Sequence, residues 1–105
     1  MSVTAKSMTF DEFRESVRID GKPPAGLSAP LRALWIDGKG DWARAHGTVD
    51  NLETREAARV HAYLHRKEGD QDNARYWYGR AGATPSTETL ATEWEQVVRE
   101  LLDKA

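Results

Sequence analysis

Apolar residues recur at intervals of three and four along most of this chain, which is the spacing of one face of an α-helix. The clearest stripe lies near the C-terminus and consists of Leu90, Trp94, Val97, Val98 and Leu101. No stretch shows the period-two alternation that is typical of a half-buried strand. The pattern therefore predicts an all-α fold of about six helices.

Capping and turn residues predict where the helices begin and end. Thr9 with Glu12 three residues later forms a capping box, and Ser28 with Pro30 in the following turn is a second helix start. The segment "RIDGKPPAG" between them contains two Pro and two Gly and is expected to be a loop. We predict a flexible N-terminus at 1–8 and one domain at 9–105, with helical hairpins at about 28–49 and 52–82 and a capping helix at about 86–104.

Two segments of the chain share the same kind of turn. "WIDGKGDWARAH" and "LHRKEGDQDNAR" each contain Gly-Asp followed by a helix that carries Ala, and the two turns are 29 residues apart. Hairpins that recur in this way are typical of an α-solenoid, because one hairpin cannot bury its own apolar face. The residues assigned to this framework are Gly40, Ala45, Gly69, Asp70, Ala74, Trp77, Tyr78 and Ala81.

The second of these units resembles a known family. The segment "GDQDNARYWYGRAGATP" is similar to the second half of a tetratricopeptide or Sel1-like repeat. The positions that carry the resemblance are Gly69, Asp70, Ala74, Tyr78, Ala81 and Pro85. It covers residues 55–85 and, more weakly, 27–52. The chain also resembles small bacterial proteins of unassigned function with "GDW" and "HAYLHRKEGD" segments. The resemblance implies a degenerate helical repeat that binds a protein or peptide, and it implies no catalytic residues.

The composition excludes several classes of protein. The chain has 105 residues and a net charge of -2, with Lys and Arg scattered among acids, so we expect no nucleic-acid partner. Cysteine is absent, which removes disulfides, thiolate nucleophiles and cysteine-based zinc sites. No apolar run is long enough to span a membrane, and the first eight residues lack the apolar core of a signal peptide. We therefore expect a cytoplasmic protein without membrane association.

The histidines are the first candidates for chemistry. His61 and His65 are four residues apart, so their rings project from one face of a helix, with Glu68 one turn further. Together with His46 in the preceding helix they would offer three nitrogens and a carboxylate to a metal ion. The Glu that follows the first His in helical metalloproteases is missing. We therefore predict that His61 and His65 are structural, hydrogen-bonded to Tyr, Trp or backbone, and that the protein has no cofactor.

Basic and aromatic residues are the second set of candidates. The first helix of each hairpin in a solenoid tends to line its concave side, and arginines there would suit an acidic or carboxylate-bearing partner. These arginines are Arg32, Arg55, Arg59 and Arg66. The alternative is a solvated surface that Glu53, Glu56 and Glu68 neutralise. On the opposite side, Tyr76 and Arg80 are expected to be exposed and to form a cation–π contact.

The carboxylates show no pattern of an acid–base pair. Glu93 and Glu95 are assigned to a solvated polar helix face or to the first turn of a helix. The sequence thus predicts a protein that is not an enzyme and binds a protein or peptide. Two alternatives stay open: a metal- or small-ligand-binding protein or enzyme built on His46, His61, His65 and Glu68, and a homo-oligomeric scaffold such as a homodimer.

Overall fold

The computed structural model of the chain describes residues 8–104, which form six helices and no strand. The helices are α1 (Phe10–Ile19), α2 (Ala29–Gly38), α3 (Trp42–Val49), α4 (Arg55–Glu68), α5 (Gln71–Ala81) and α6 (Leu90–Lys104). The prediction of an all-α fold is therefore confirmed. Within the described residues, every helix is too short or too polar to cross a membrane. The flexible segment predicted at 1–8 lies outside them except for Met8, whose side chain is buried in the core.

The helices begin and end where local chemistry favours it. The Thr9 hydroxyl accepts a hydrogen bond from the Glu12 backbone amide (3.1 Å), and the Glu12 carboxylate accepts one from the Thr9 amide (3.0 Å), so the capping box is present. Asp70 caps α5, and hydrogen bonds from Asn73 lower the pKa of its carboxyl group. Gly69 ends α4 at a φ of +89°, a left-handed conformation that L side chains rarely adopt.

The main core lies among α1, α2, α3, α4 and α6, and a smaller cluster joins α4 to α5. Ala62, Ala74 and Tyr78 form that smaller cluster, where the small alanine side chains let the two helices approach closely. Trp77 packs against this cluster but is only half-buried, and Ala81 is half-buried as well. The spacing of Trp77 predicted a more central place in the core. The helices α2 and α3 lie within the first predicted hairpin range and α4 and α5 within the second. That the two pairs are repeats of one unit remains a prediction.

Helix α4 is at the centre of the fold, because it contacts α2, α3, α5 and α6. Three pairs of polar side chains on α4 face these four neighbours. His61 and His65 face α3 and α5, Arg59 and Arg66 face α6, and Tyr63 and Lys67 face α2. The members of each pair are four or seven residues apart, which places them on one face of the helix. This arrangement positions the polar groups described below.

Candidate metal centre

Three histidines from two helices converge on one point. His46 comes from α3, and His61 and His65 come from successive turns of α4. One ring nitrogen from each histidine lies within 4.8 Å of the other two. The Nε2 atoms of His46 and His61 are the best-defined pair, at 3.1 Å. The sequence spacing predicted that His61 and His65 share a face, and the packing of α3 against α4 adds His46.

Aromatic packing holds these rings in place. His61 and His65 are stacked with centroids 5.4 Å apart and an interplanar angle of 3°, and the His46 ring is steeply inclined to both. Trp42, one turn before His46, stacks on it at 4.9 Å. The Trp42 indole also donates to the Leu64 carbonyl oxygen at 2.7 Å, which ties α3 to α4.

His61 is further enclosed by a residue of α5. Trp77 stacks on the face of the His61 ring, with centroids 4.0 Å apart and an interplanar angle of 12°. The His61 side chain is consequently only 1% exposed. The half-buried Trp77 therefore covers one side of the histidine cluster.

The hydrogen bonds expected for these histidines are not present. Within residues 8–104, the Nδ1 atoms of His61 and His65 are buried and have no hydrogen-bond partner. The expectation that Tyr, Trp or backbone groups would satisfy these nitrogens is therefore wrong. A neutral imidazole carries one donor and one acceptor nitrogen, so either tautomer of His61 leaves a buried polar group unpaired. Such a group costs about 1–3 kcal/mol.

Burial also controls the protonation of His61. Loss of solvation, together with the nearby His46 and His65, lowers the pKa of His61 to about 4, while Asp50 acts in the opposite direction. At neutral pH His61 is therefore an uncharged imidazole, the form that ligates a metal ion.

The carboxylates around the cluster differ from those that the sequence indicated. Glu68 groups with His65 and Asp70, and its Oε1 lies 3.7 Å from His65 Nδ1, but it is not part of the three-histidine group. The reason is distance along the helix, since Glu68 is nearly two turns beyond His61. Instead Oδ1 of Asp50 lies 3.7 Å from His61 Nε2 and 3.8 Å from His46 Nε2. Sequence reasoning missed Asp50, although its position four residues after His46 is a detectable signal.

A second group of polar residues lies between α4, α5 and α6. Glu93 is fully buried and accepts hydrogen bonds from Arg59 (2.8 Å), Arg66 (2.8 Å) and the Tyr78 hydroxyl (2.5 Å). Burial and the Glu93 hydrogen bond raise the pKa of Tyr78 to about 12, so the phenol remains a donor at neutral pH. The assignment of Glu93 to a solvated helix face is therefore wrong. It is a buried charge that three donors satisfy.

The contacts of Glu93 change the interpretation of the four arginines that were predicted to bind a partner. Arg59 and Arg66 are directed to Glu93, and their side chains are only 14% and 19% exposed. The acid that neutralises them is Glu93 and not a glutamate of the same helix. Arg32 and Arg55 remain exposed. The predicted arginine surface is therefore reduced to these two residues.

On α5, the expected contact between Tyr76 and Arg80 is present. The Arg80 guanidinium donates to the Tyr76 hydroxyl at 2.9 Å and lies 5.9 Å from the centre of its ring. Tyr76 is 53% exposed, which makes it one of the most exposed large apolar residues among those described.

Comparison of the chain with family models, with curated proteins and with solved structures found no match.

Proposed function

We propose that this chain binds a transition-metal ion of the zinc class through His46, His61 and His65. The observation that carries the proposal is the convergence of their ring nitrogens to within 4.8 Å of one another. Imidazole nitrogens suit zinc, copper and nickel. With Zn–N bonds of about 2.0–2.1 Å, two ligand nitrogens of a tetrahedral site lie about 3.3 Å apart. The 3.1 Å between His46 and His61 is close to that separation.

The surroundings of the nitrogens support the same proposal. His61 is uncharged at neutral pH because its pKa is lowered to about 4, so no proton has to be displaced from it. Asp50 has a carboxylate oxygen within 3.8 Å of two of the histidine nitrogens and supplies the fourth ligand. Stacking by Trp42 and Trp77 orients the rings, a role that hydrogen bonds from neighbouring groups fill in many metal sites.

Binding of a protein or peptide remains a second candidate function. The exposed pair of Tyr76 and Arg80 favours it, because aromatic and arginine side chains are enriched at interfaces. Arg59 and Arg66 no longer support it, since Glu93 already occupies their guanidinium groups. The predicted cytoplasmic location and helical-repeat ancestry are part of this second proposal.

Metal binding is tested on the untagged chain after removal of metal with a chelator. Zinc, nickel and manganese are each added at a series of concentrations and the thermal unfolding is followed. An ion at 100 times its dissociation constant stabilises a protein by about 2.7 kcal/mol. For a domain of this size that corresponds to an increase in melting temperature of about 10 °C or more. We expect this from zinc and nickel, and little change from manganese.

Variants distinguish metal binding at the histidine cluster from nonspecific binding elsewhere on the chain. His46→Gln removes a half-buried ligand and should abolish most of the zinc-induced shift, and Asp50→Asn should reduce it. Arg44→Gln changes an exposed residue of the same helix and should leave it intact. A zinc shift that survives in His46→Gln, or no shift in the unaltered chain, contradicts the proposal.

A further inference from the structure

A groove of about 870 Å³ lies on the side of the molecule formed by α1, the end of α2 and the start of α6. Its apolar wall consists of Phe10, Val17, Leu90 and Trp94. Trp94 is fixed by a hydrogen bond from its indole to the Leu34 carbonyl oxygen (3.0 Å) and by edge contact with Phe10. Leu90 is 36% exposed, so the wall includes apolar surface open to solvent.

The rim of this groove is mainly basic, although the chain as a whole has a net charge of -2. Four cations and two carboxylates line it: Arg14, Arg18, Lys39, Lys67, Asp37 and Glu95. Both carboxylates already have partners, because Asp37 pairs with Lys67 and Glu95 pairs with Arg99. Two of the cations are paired as well, because Arg14 contacts Asp11 and Arg18 contacts Glu15 outside the groove. Lys39 is therefore the cation of this set that has no carboxylate partner among the described residues.

Two of these cations have free hydrogen-bond donors. Lys67 donates one hydrogen bond to Asp37 (2.9 Å), and an ammonium group carries three donors. Lys39 lies over the Trp35 ring at 5.1 Å and, among the described residues, has no carboxylate within 4.0 Å. Asp37 itself is 2% exposed and also accepts from the Tyr63 hydroxyl (3.2 Å), which fixes the polar end of the groove.

We propose that this groove binds a small amphipathic carboxylate, with its apolar part against Phe10, Leu90 and Trp94 and its carboxylate at Lys39 and Lys67. The volume is within the range of small-ligand sites. The apolar wall ends at Lys39, which has no carboxylate partner among the described residues, and at Lys67, which keeps free donors beside its bond to Asp37. This arrangement is complementary to an alkyl or aromatic acid. It is unfavourable for a cation or for a neutral polar molecule.

The test uses three probes below their aggregation concentrations and the full chain labelled for amide NMR. Decanoate has the tail and the carboxylate, decyltrimethylammonium has the same tail with the opposite charge, and acetate has the carboxylate without the tail. We expect saturable shifts with decanoate at Gly38, Lys39 and Trp94, and much weaker effects from the other two. Lys39→Glu should weaken decanoate binding at least about fivefold. Lys22→Glu, an exposed charge reversal outside the groove, should not.

Leu90→Asn provides a second variant on the apolar side, at a residue that is 36% exposed, and should also weaken binding. Equal binding of decyltrimethylammonium would overturn the proposal. So would equal affinities of Lys39→Glu and Lys22→Glu, shifts centred on the separate depression around Ile19 and Pro24, or no saturable binding of decanoate.

Discussion

The Nε2 atoms of His46 and His61 lie 3.1 Å apart, although the two residues are 15 positions apart in the chain and belong to different helices. Two neutral imidazoles at this distance share one hydrogen bond, and two protonated ones would repel each other. The same pair is therefore well suited to a metal ion and poorly suited to acid. Both properties can be measured.

The stability of the metal-free chain should fall as the pH falls from 6.5 toward 4. The pKa of folded His61, about 4, is below its ordinary value of 6.5, so the unfolded chain takes up the proton first. The stabilising effect is fully present above pH 6.5 and is lost by about pH 4, with a total of about 3 kcal/mol. Urea unfolding at intervals between pH 7 and pH 5 measures it, in a range where most carboxylates are still ionised.

A His61→Gln variant is the reference for this measurement. It lacks the titrating group, so the slope of its free energy of unfolding against pH should be clearly smaller over the same interval. The groups that face His61 in the folded protein are His46, His65 and Asp50, and all of them remain in the variant. Equal slopes for the two proteins would mean that His61 does not titrate as described.

Replacement of Glu93 by Ala should destabilise the protein by about 3–5 kcal/mol, because it leaves Arg59 and Arg66 without their buried partner. Chemical denaturation measures the loss. Glu100→Ala on the exposed side of the same helix is the control and should change stability by less than about 0.5 kcal/mol. Similar losses in both variants would show that Glu93 is not the partner that holds α6 against α4.

Two glycines should respond in opposite directions to replacement by Ala. A β-carbon at Gly38 would lie 2.9 Å from Val17 Cγ1 and 3.2 Å from Trp94 Cζ2, so Gly38→Ala overpacks the contact of α2 with α1 and α6. Gly47 is within α3 and has nothing within 4 Å of that position. Gly47→Ala should therefore stabilise the protein by about 0.5–1 kcal/mol, because alanine favours the helix. Thermal melts of both variants measure these effects. A stabilised Gly38→Ala variant would show that Gly38 packs less tightly against Val17 and Trp94 than described.

The local features of the fold could be predicted from the sequence. The capping box of Thr9 and Glu12, the left-handed turn at Gly69 and the shared helix face of His61 and His65 depend on residues at most four positions apart. Local hydrogen bonds and backbone conformation determine such features, and the residue types reveal them directly.

The parts that could not be predicted depend on how helices pack. Glu93 is a carboxylate in the first turn of α6, where the helix dipole and solvent usually favour it. Only the contacts with Arg59 and Arg66, 34 and 27 positions earlier in the chain, make its burial favourable. The sequence named His46 as a candidate ligand together with His61 and His65, whereas its contact with His61 depends on the packing of α3 on α4. Asp50 differs, because its position four residues after His46 can be read directly from the sequence.

The four tryptophans form two pairs, one at the histidine cluster and one at the groove. Trp42 and Trp77 each stack on a histidine ring, whereas Trp94 lines the groove and Trp35 lies beneath Lys39. Protonated imidazole and bound copper both quench indole fluorescence at such distances. In a variant that keeps only Trp42 and Trp77, the fluorescence would follow the state of the histidines. In a variant that keeps only Trp35 and Trp94, it would follow the groove. Occupancy of the two sites could therefore be recorded separately without an added dye.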